Sequence, residues 1–306
     1  MSANEPASSY ATLDAETARR VAGLKVRATK AVHGLLGGMH RSPHRGASVV
    51  FVEHRAYRPG DDLRLLDWRA FARTDRHAVK RFEQETQLRA SLLIDRSASM
   101  AWRGFAGDGP SKHEHAATLL AALAYVLHRQ GDAVAAVGLA DGVHADAVPH
   151  GTRPSHLEAV LRVLATAPDE RERTALRQSL EDAAQRTKRR GVVVVASDLL
   201  GEAANALDGL VGLTARGHDV LVLHVLHPDE LELPDIGAAR FVDPESDERL
   251  DTETEPVREA YQEELAEFID DTRRRCTAAG AAYVLASMAE PPERTLARAL
   301  GPRRRR

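Results

Sequence analysis

Asp95, Ser97 and Ser99 stand at alternate positions directly after an apolar run, Leu92-Leu93-Ile94. Such a run reads as a buried strand, and a strand that stops at a carboxylate and turns through two hydroxyls gathers three hard oxygen donors at its carboxyl end. In open α/β sheets that edge is where ligands bind. Oxygen donors alone suit magnesium or manganese rather than zinc. A competing account is purely local: Ser97 and Ser99 cap the segment that follows, and Asp95 bonds loop amides.

Donors of this kind need a sheet to hold them, and the hydrophobic pattern supplies one. Strands are predicted at 90–95, 133–140, 192–197, 220–225 and 282–286, and helical spacing recurs between them at 113–129, 156–165, 175–187, 203–215 and 257–279. Gly131, Gly191, Gly217 and Gly280 each fall after a helix and before a strand, as glycine caps do. Strands that read as continuous apolar runs imply a sheet covered on both faces. The predicted fold class is α/β, a doubly wound, mostly parallel sheet of Rossmann-like type. A short antiparallel edge strand is expected at 143–148, after the Asp141-Gly142 turn.

Ahead of the sheet, Ala18, Val21, Leu24, Ala28, Val32 and Leu35 recur at helical spacing and predict a helix from Asp14 to Leu36, stopped by Gly37-Gly38. Residues 39–90 read as irregular, with strand-like pieces near 49–52 and 78–82. The domain reading is an N-terminal helical and irregular extension at 1–89, the sheet domain at 90–290, and a short helix with a basic tail at 291–306.

Apolar residues make up 43% and charged residues 28% of the 306, ordinary proportions for a globular protein, while aromatics are sparse at 4%. The net charge of −3 points to no class of partner. Its distribution is uneven: residues 41–89 hold 11 Lys/Arg against 7 Asp/Glu, and residues 229–271 hold 17 Asp/Glu against 3 Lys/Arg. Each segment is either a docking surface or a solvated face. The single cysteine, Cys276, excludes an internal disulfide and any multi-thiolate metal site. No apolar run approaches the roughly 18 residues that a membrane span requires, and no signal-peptide pattern is present, so a cytoplasmic protein is expected. The Arg303–Arg306 run is read as a solvated tail, and no nucleic-acid partner is expected.

The spacing Asp95-x-Ser97-x-Ser99 resembles the metal-ion-dependent adhesion site (MIDAS) of von Willebrand factor A (vWA) domains. That resemblance implies a further aspartate at the end of a later strand, which Asp198 supplies after Val192–Ser197, and a loop threonine between the two motifs, for which Thr152 is the candidate. A segment before the sheet, Tyr57-Arg58-Pro59-Gly60-Asp61-Asp62 followed by Arg64 and Asp67-Trp68, resembles the bacterial family called "domain of unknown function 58", which pairs such a signature with a vWA-like domain. The resemblance implies a non-enzymatic, metal-dependent interaction module that serves as adaptor for a MoxR-type AAA+ ATPase and its client protein. Arg58, Asp61, Asp62, Arg64, Asp67 and Trp68 are then interaction candidates. A salt-bridge cluster with Trp68 as a packing anchor is the structural alternative for them.

The other class of function is a metal-dependent hydrolase or phosphatase that uses an Asp95–Asp198 cleft. Haloacid-dehalogenase-like phosphatases need a second carboxylate two residues after the first, and Ser97 stands there. There is no P-loop and no Gly-x-Ser-x-Gly elbow. His113-Glu114-His115 lacks the i, i+4 spacing of zinc enzymes and is read as exposed helix surface. A third reading leaves the site without metal, with Arg96 or a neighbouring lysine in the role of the ion.

Overall fold

The computed structural model describes residues 15–38, 50–56, 78–83, 87–140, 142–143, 147–168, 176–186, 189–200, 203–243 and 248–301. The interaction candidates Arg58, Asp61, Asp62, Arg64, Asp67 and Trp68 lie outside the described residues, as does the Arg303–Arg306 tail.

In chain order, helix α1 (Ala15–Gly38) precedes an antiparallel pair, β1 (Val50–Ala56) and β2 (Ala78–Glu83). Then come β3 (Arg89–Asp95), α2 (Lys112–Arg129), β4 (Ala133–Ala140), the short β5 (Gly142–Val143) and β6 (Val148–Gly151), α3 (Pro154–Ala165) and α4 (Leu176–Arg186). The remainder is β7 (Val192–Ser197), α5 (Ala203–Ala215), β8 (Asp219–Leu226), α6 (Pro228–Glu232), the hairpin β9 (Ala238–Val242) and β10 (Arg249–Glu253), α7 (Thr254–Ala278), β11 (Ala282–Ser287) and α8 (Pro292–Leu300).

Five parallel strands run in the order β11-β8-β7-β3-β4, and β5 and β6 both pair antiparallel with β4. The single edge strand expected at 143–148 is thus two short ones. Numbered among the parallel strands alone, the order is the doubly wound 2-1-3-4-5 arrangement. The chain leaves β3 for β4 on one side and returns to β7 on the other. The crevice between β3 and β7, at their carboxyl ends, is therefore the topological switch point.

Alternation along each strand divides the core in two. Leu92, Ile94, Val194, Ala196, Leu221 and Leu223 face a layer built from α1, α2, α3 and α8. Leu93, Val193, Val195, Val220 and Val222 face α4, α5 and α7, where Cys276 is buried as a free thiol. Helix α1 belongs to the first layer: Val21, Leu24, Ala28, Val32 and Leu35 are buried as expected, with Ala31 in addition, while Ala18 is exposed. The helix assigned to an extension thus shares the hydrophobic core of the sheet domain. Helix α2 starts at a capping box in which the Ser111 hydroxyl accepts the Glu114 N–H and the Glu114 carboxylate accepts the Ser111 N–H. That cap fixes Lys112 as the first helical residue.

A candidate cation site at the strand ends

Asp95 closes β3, and the turn that follows is built on its side chain. Oδ1 accepts the Ser97 N–H at 2.8 Å, and Oδ2 accepts the hydroxyl of Ser197, the last residue of β7. The Ser97 and Ser99 hydroxyl oxygens are 3.0 Å apart, and Ser99 also donates to Asp198. Asp198 follows β7 directly. Its Oδ1 accepts the Leu200 N–H at 3.2 Å and its Oδ2 accepts the Lys112 ammonium at 2.7 Å. Asp95, Ser97, Ser99 and Asp198, predicted to act together from two segments about a hundred residues apart, do converge at the β3–β7 switch point, and all are buried.

The chain turns sharply to place Asp198. Leu199 has φ 54, in the left-handed region that costs a branched side chain of order 1–3 kcal/mol. Its N–H is held by the Ser197 hydroxyl at 3.0 Å, and its side chain is buried, which over-determines the conformation. Beneath it, His224 on β8 contacts the Asp198 carbonyl through Nε2 at 2.8 Å and the Tyr283 hydroxyl through Nδ1 at 2.7 Å. A carbonyl only accepts, so Nε2 carries the proton and Nδ1 accepts from tyrosine. Burial holds His224 neutral, its pKa pushed down to about 4.

Lys112 was not singled out by sequence reasoning, yet it is the central cation. Its side chain is 1% exposed, and its ammonium bridges Asp198 and Glu230, the latter at 2.5 Å. Burial alone would depress the lysine; the two carboxylates overcome it and hold the ammonium above its usual range. Burial likewise works to raise Asp198, and the Lys112 charge brings it below the usual carboxylate range. Glu230 is fixed by a second capping box, in which its other oxygen accepts the His227 N–H at 2.7 Å at the start of α6. Asp95 is raised to about 6 by burial and by the neighbouring Asp198 charge. The signal that could have marked Lys112 is its place as the first residue of an otherwise apolar, capped helix aimed at the switch point. Glu230 sat unremarked in the acidic segment.

Thr152 does not join them. Gly151 of β6 pairs with Val134 at the start of β4, whereas Asp95 pairs with Leu139 near the end of that strand. Five residues of strand, roughly 17 Å, separate the two levels, and Thr152 is exposed at the opposite edge of the sheet. The antiparallel course of β6 is the cause. His113 and His115, expected on exposed helix surface, are buried, because the first half of α2 is enclosed on nearly every side, with α1 over His113. Arg96 is also buried, but its guanidinium turns away to the Val163 carbonyl at 2.6 Å.

Asp95, Ser97, Ser99 and Asp198 offer hard oxygen donors of the type that magnesium or manganese takes, and among the described residues no group of three or more His, Cys, Asp or Glu is gathered as a metal would need. Octahedral magnesium with bonds of about 2.1 Å sets adjacent ligands roughly 3 Å apart, the separation of the two serine hydroxyls. Asp198 and Glu230 share the Lys112 ammonium, and Asp95 lies beside Asp198 in the same buried cleft.

A family model described as "Protein of unknown function DUF58" matches residues 53–269. The chain is 32% identical over 235 residues to the uncharacterized protein Rv1480 of Mycobacterium tuberculosis, a match that covers 76% of this chain and 72% of that one. It is 40% identical over 93 residues to the uncharacterized protein MAV169 of Mycobacterium avium, covering 29% of this chain and 53% of the other. Among solved structures, an aerotolerance-related membrane protein from Bacteroides fragilis is similar over 69% of this chain and 98% of its own, with 17% identity and a TM-score of 0.47. BatB from Bacteroides thetaiotaomicron is similar over the same shares, with 15% identity and a TM-score of 0.45.

Proposed function

This chain belongs to the family described as protein of unknown function DUF58, and from that premise we propose that it is a non-enzymatic, vWA-like protein-interaction module. In this reading Asp95, Ser97, Ser99 and Asp198 hold magnesium or manganese at the β3–β7 switch point. The ion supplies an electrophilic centre whose last ligand is a carboxylate of the partner. The partner is a MoxR-type AAA+ ATPase, for which the chain acts as a cytoplasmic adaptor toward a client protein. The observation that carries the reading is the convergence of two hydroxyls and two strand-terminal carboxylates at one crevice.

One further feature supports binding. Leu200, two residues past Asp198, and Phe105, packed edge-on against Trp102, are both about two-fifths exposed near the cleft and offer apolar contact surface to a partner.

Magnesium or manganese should raise the melting temperature of the wild type by mass action on the folded state, and Asp95→Ala should lose that rise. Equal responses in both proteins would reject the ion. Affinity capture from the native cell should then recover an AAA+ ATPase when the ion is present and lose it in chelator.

Lys112 favours a second reading, in which its ammonium is the resident cation and the interface needs no metal. There, capture persists in chelator and disappears in Lys112→Met.

A further inference from the structure

A second charged site lies on the face of the sheet that carries α1. A cavity of about 310 Å³ opens between α1, the first turn of α2 and the 101–103 loop, and its lining includes Arg19, Arg20, Arg27, Arg103, His113 and Glu114. Four guanidinium groups face one carboxylate, and none of the strand-end acids lines the space. The volume sits at the small end of the range for ligand pockets. It suits a compact anion and is too small for an extended acidic peptide.

The guanidinium groups are held in place. Arg27 donates to the Thr118 hydroxyl at 3.1 Å, Arg103 donates to the Gly109 carbonyl and to Glu114, both at 2.8 Å, and Arg20 donates to Glu16 at 2.6 Å. Each of these contacts uses only part of a five-donor fork, so donors remain for a ligand. Glu114 is the one acid in the lining, and it is already engaged: it closes the α2 capping box and accepts from Arg103. His113 also lines the space and is 2% exposed; among the described residues its Nε2 has no hydrogen-bond partner, as is true of His115 and His128 elsewhere on α2.

Guanidinium forks match tetrahedral oxyanions in two-point geometry, and several around one space favour a ligand with more than one phosphate oxygen edge. We propose that this cavity binds a small anion carrying a diphosphate group. The site is separate from the strand-end cleft and does not rest on the reading of that cleft. It does share a structural part with it. Ser111 and Glu114 form the cap that fixes Lys112, so a ligand bound beside Glu114 sits two residues along α2 from the lysine that pairs with Asp198.

The test uses the full chain, inorganic pyrophosphate as probe, and buffers free of divalent ions so that the strand-end site is silent. The melting temperature is followed against pyrophosphate at constant ionic strength, with sodium chloride and citrate as controls. The expected result is a saturable rise with pyrophosphate that neither control reproduces. The rise should persist in Asp95→Ala and weaken at least tenfold in apparent affinity in Arg27→Gln/Arg103→Gln. Arg19→Gln/Arg20→Gln, which alters only exposed positions on α1, should weaken it as well and so separates ligand loss from misfolding. A rise that is absent, that chloride or citrate matches, or that survives unchanged in both double variants would overturn the proposal.

Discussion

The two charged sites of this protein are built on opposite principles. At the strand ends, Asp95, Asp198 and Lys112 are almost wholly buried, and every charge is bound to a named partner. Around the cavity under α1 the arginines are exposed, the ion pairs of Arg20 and Arg103 are exposed as well, and the buried polar group is the neutral His113. Buried charge is costly to unpair, whereas exposed pairs contribute little. The strand-end cleft should therefore be rigid and essential to stability. The arginine cavity should be dispensable for folding and free to serve a ligand.

The largest effect that can break this contrast is removal of the central cation. Lys112→Met leaves Asp198 and Glu230 buried without a counter-charge and should cost about 3–5 kcal/mol in denaturant unfolding. A loss below about 1 kcal/mol would erase the distinction between the sites. In the same variant, magnesium should restore part of the lost stability and act more strongly than on the wild type, since Asp198 no longer answers to the lysine.

Acid titration gives an effect of intermediate size. His224 is depressed to about 4 in the folded protein, so its contribution to stability is complete above about pH 6.5 and is lost as pH falls toward 4. Asp95, raised to about 6, acts with the opposite sign: the folded state takes up that proton first, so its contribution grows as pH falls through 6. The informative quantity is thus the difference between His224→Gln and the wild type. The variant should show a slope of unfolding free energy against pH that is smaller by about one proton between pH 6.5 and 4. Identical slopes would mean that His224 is not held neutral beneath Asp198.

The smallest effect sharpens the contrast from the other side. Arg27→Gln/Arg103→Gln should change stability by less than about 1 kcal/mol without ligand, since the side-chain contacts involved are exposed or half-buried. A loss comparable with that of Lys112→Met would make the arginines a structural element and not a binding surface.

How far each site was legible follows from how it is encoded. The strand-end donors lie on apolar runs that terminate at polar residues, a pattern fixed by the sheet, and so Asp95, Ser97, Ser99 and Asp198 could be grouped from spacing and chain order. Lys112 and Glu230 come from a helix cap and a five-residue helix, where no periodicity points inward. Thr152 misled because chain order says nothing of direction: β6 runs antiparallel and carries it to the far edge. The β9–β10 hairpin escaped notice because its strands are short and largely exposed and carry no continuous apolar run. The arginine cavity was not legible at all. Arg19, Arg20 and Arg27 read as the polar side of α1, and only the packing of that helix over α2 brings Arg103 and His113 to them.

The hydrogen bond from Ser197 to Asp95 spans 102 residues, and it has a consequence for how the molecule is made. At translation rates of 5–20 residues per second, roughly 5–20 s pass between the emergence of the two partners from the ribosome. During that interval β3 can pair with β4, its close neighbour in sequence, but its other edge stays open and Asp95 lacks both Ser197 and Asp198. Addition of β7 then covers that edge and brings Ser197 and Asp198 to Asp95, and β8 and α6 follow with His224 and Glu230. The cleft is thus assembled by a late, long-range event of folding, and a nascent or truncated chain that stops short of residue 197 leaves Asp95 without the groups that β7 brings to it.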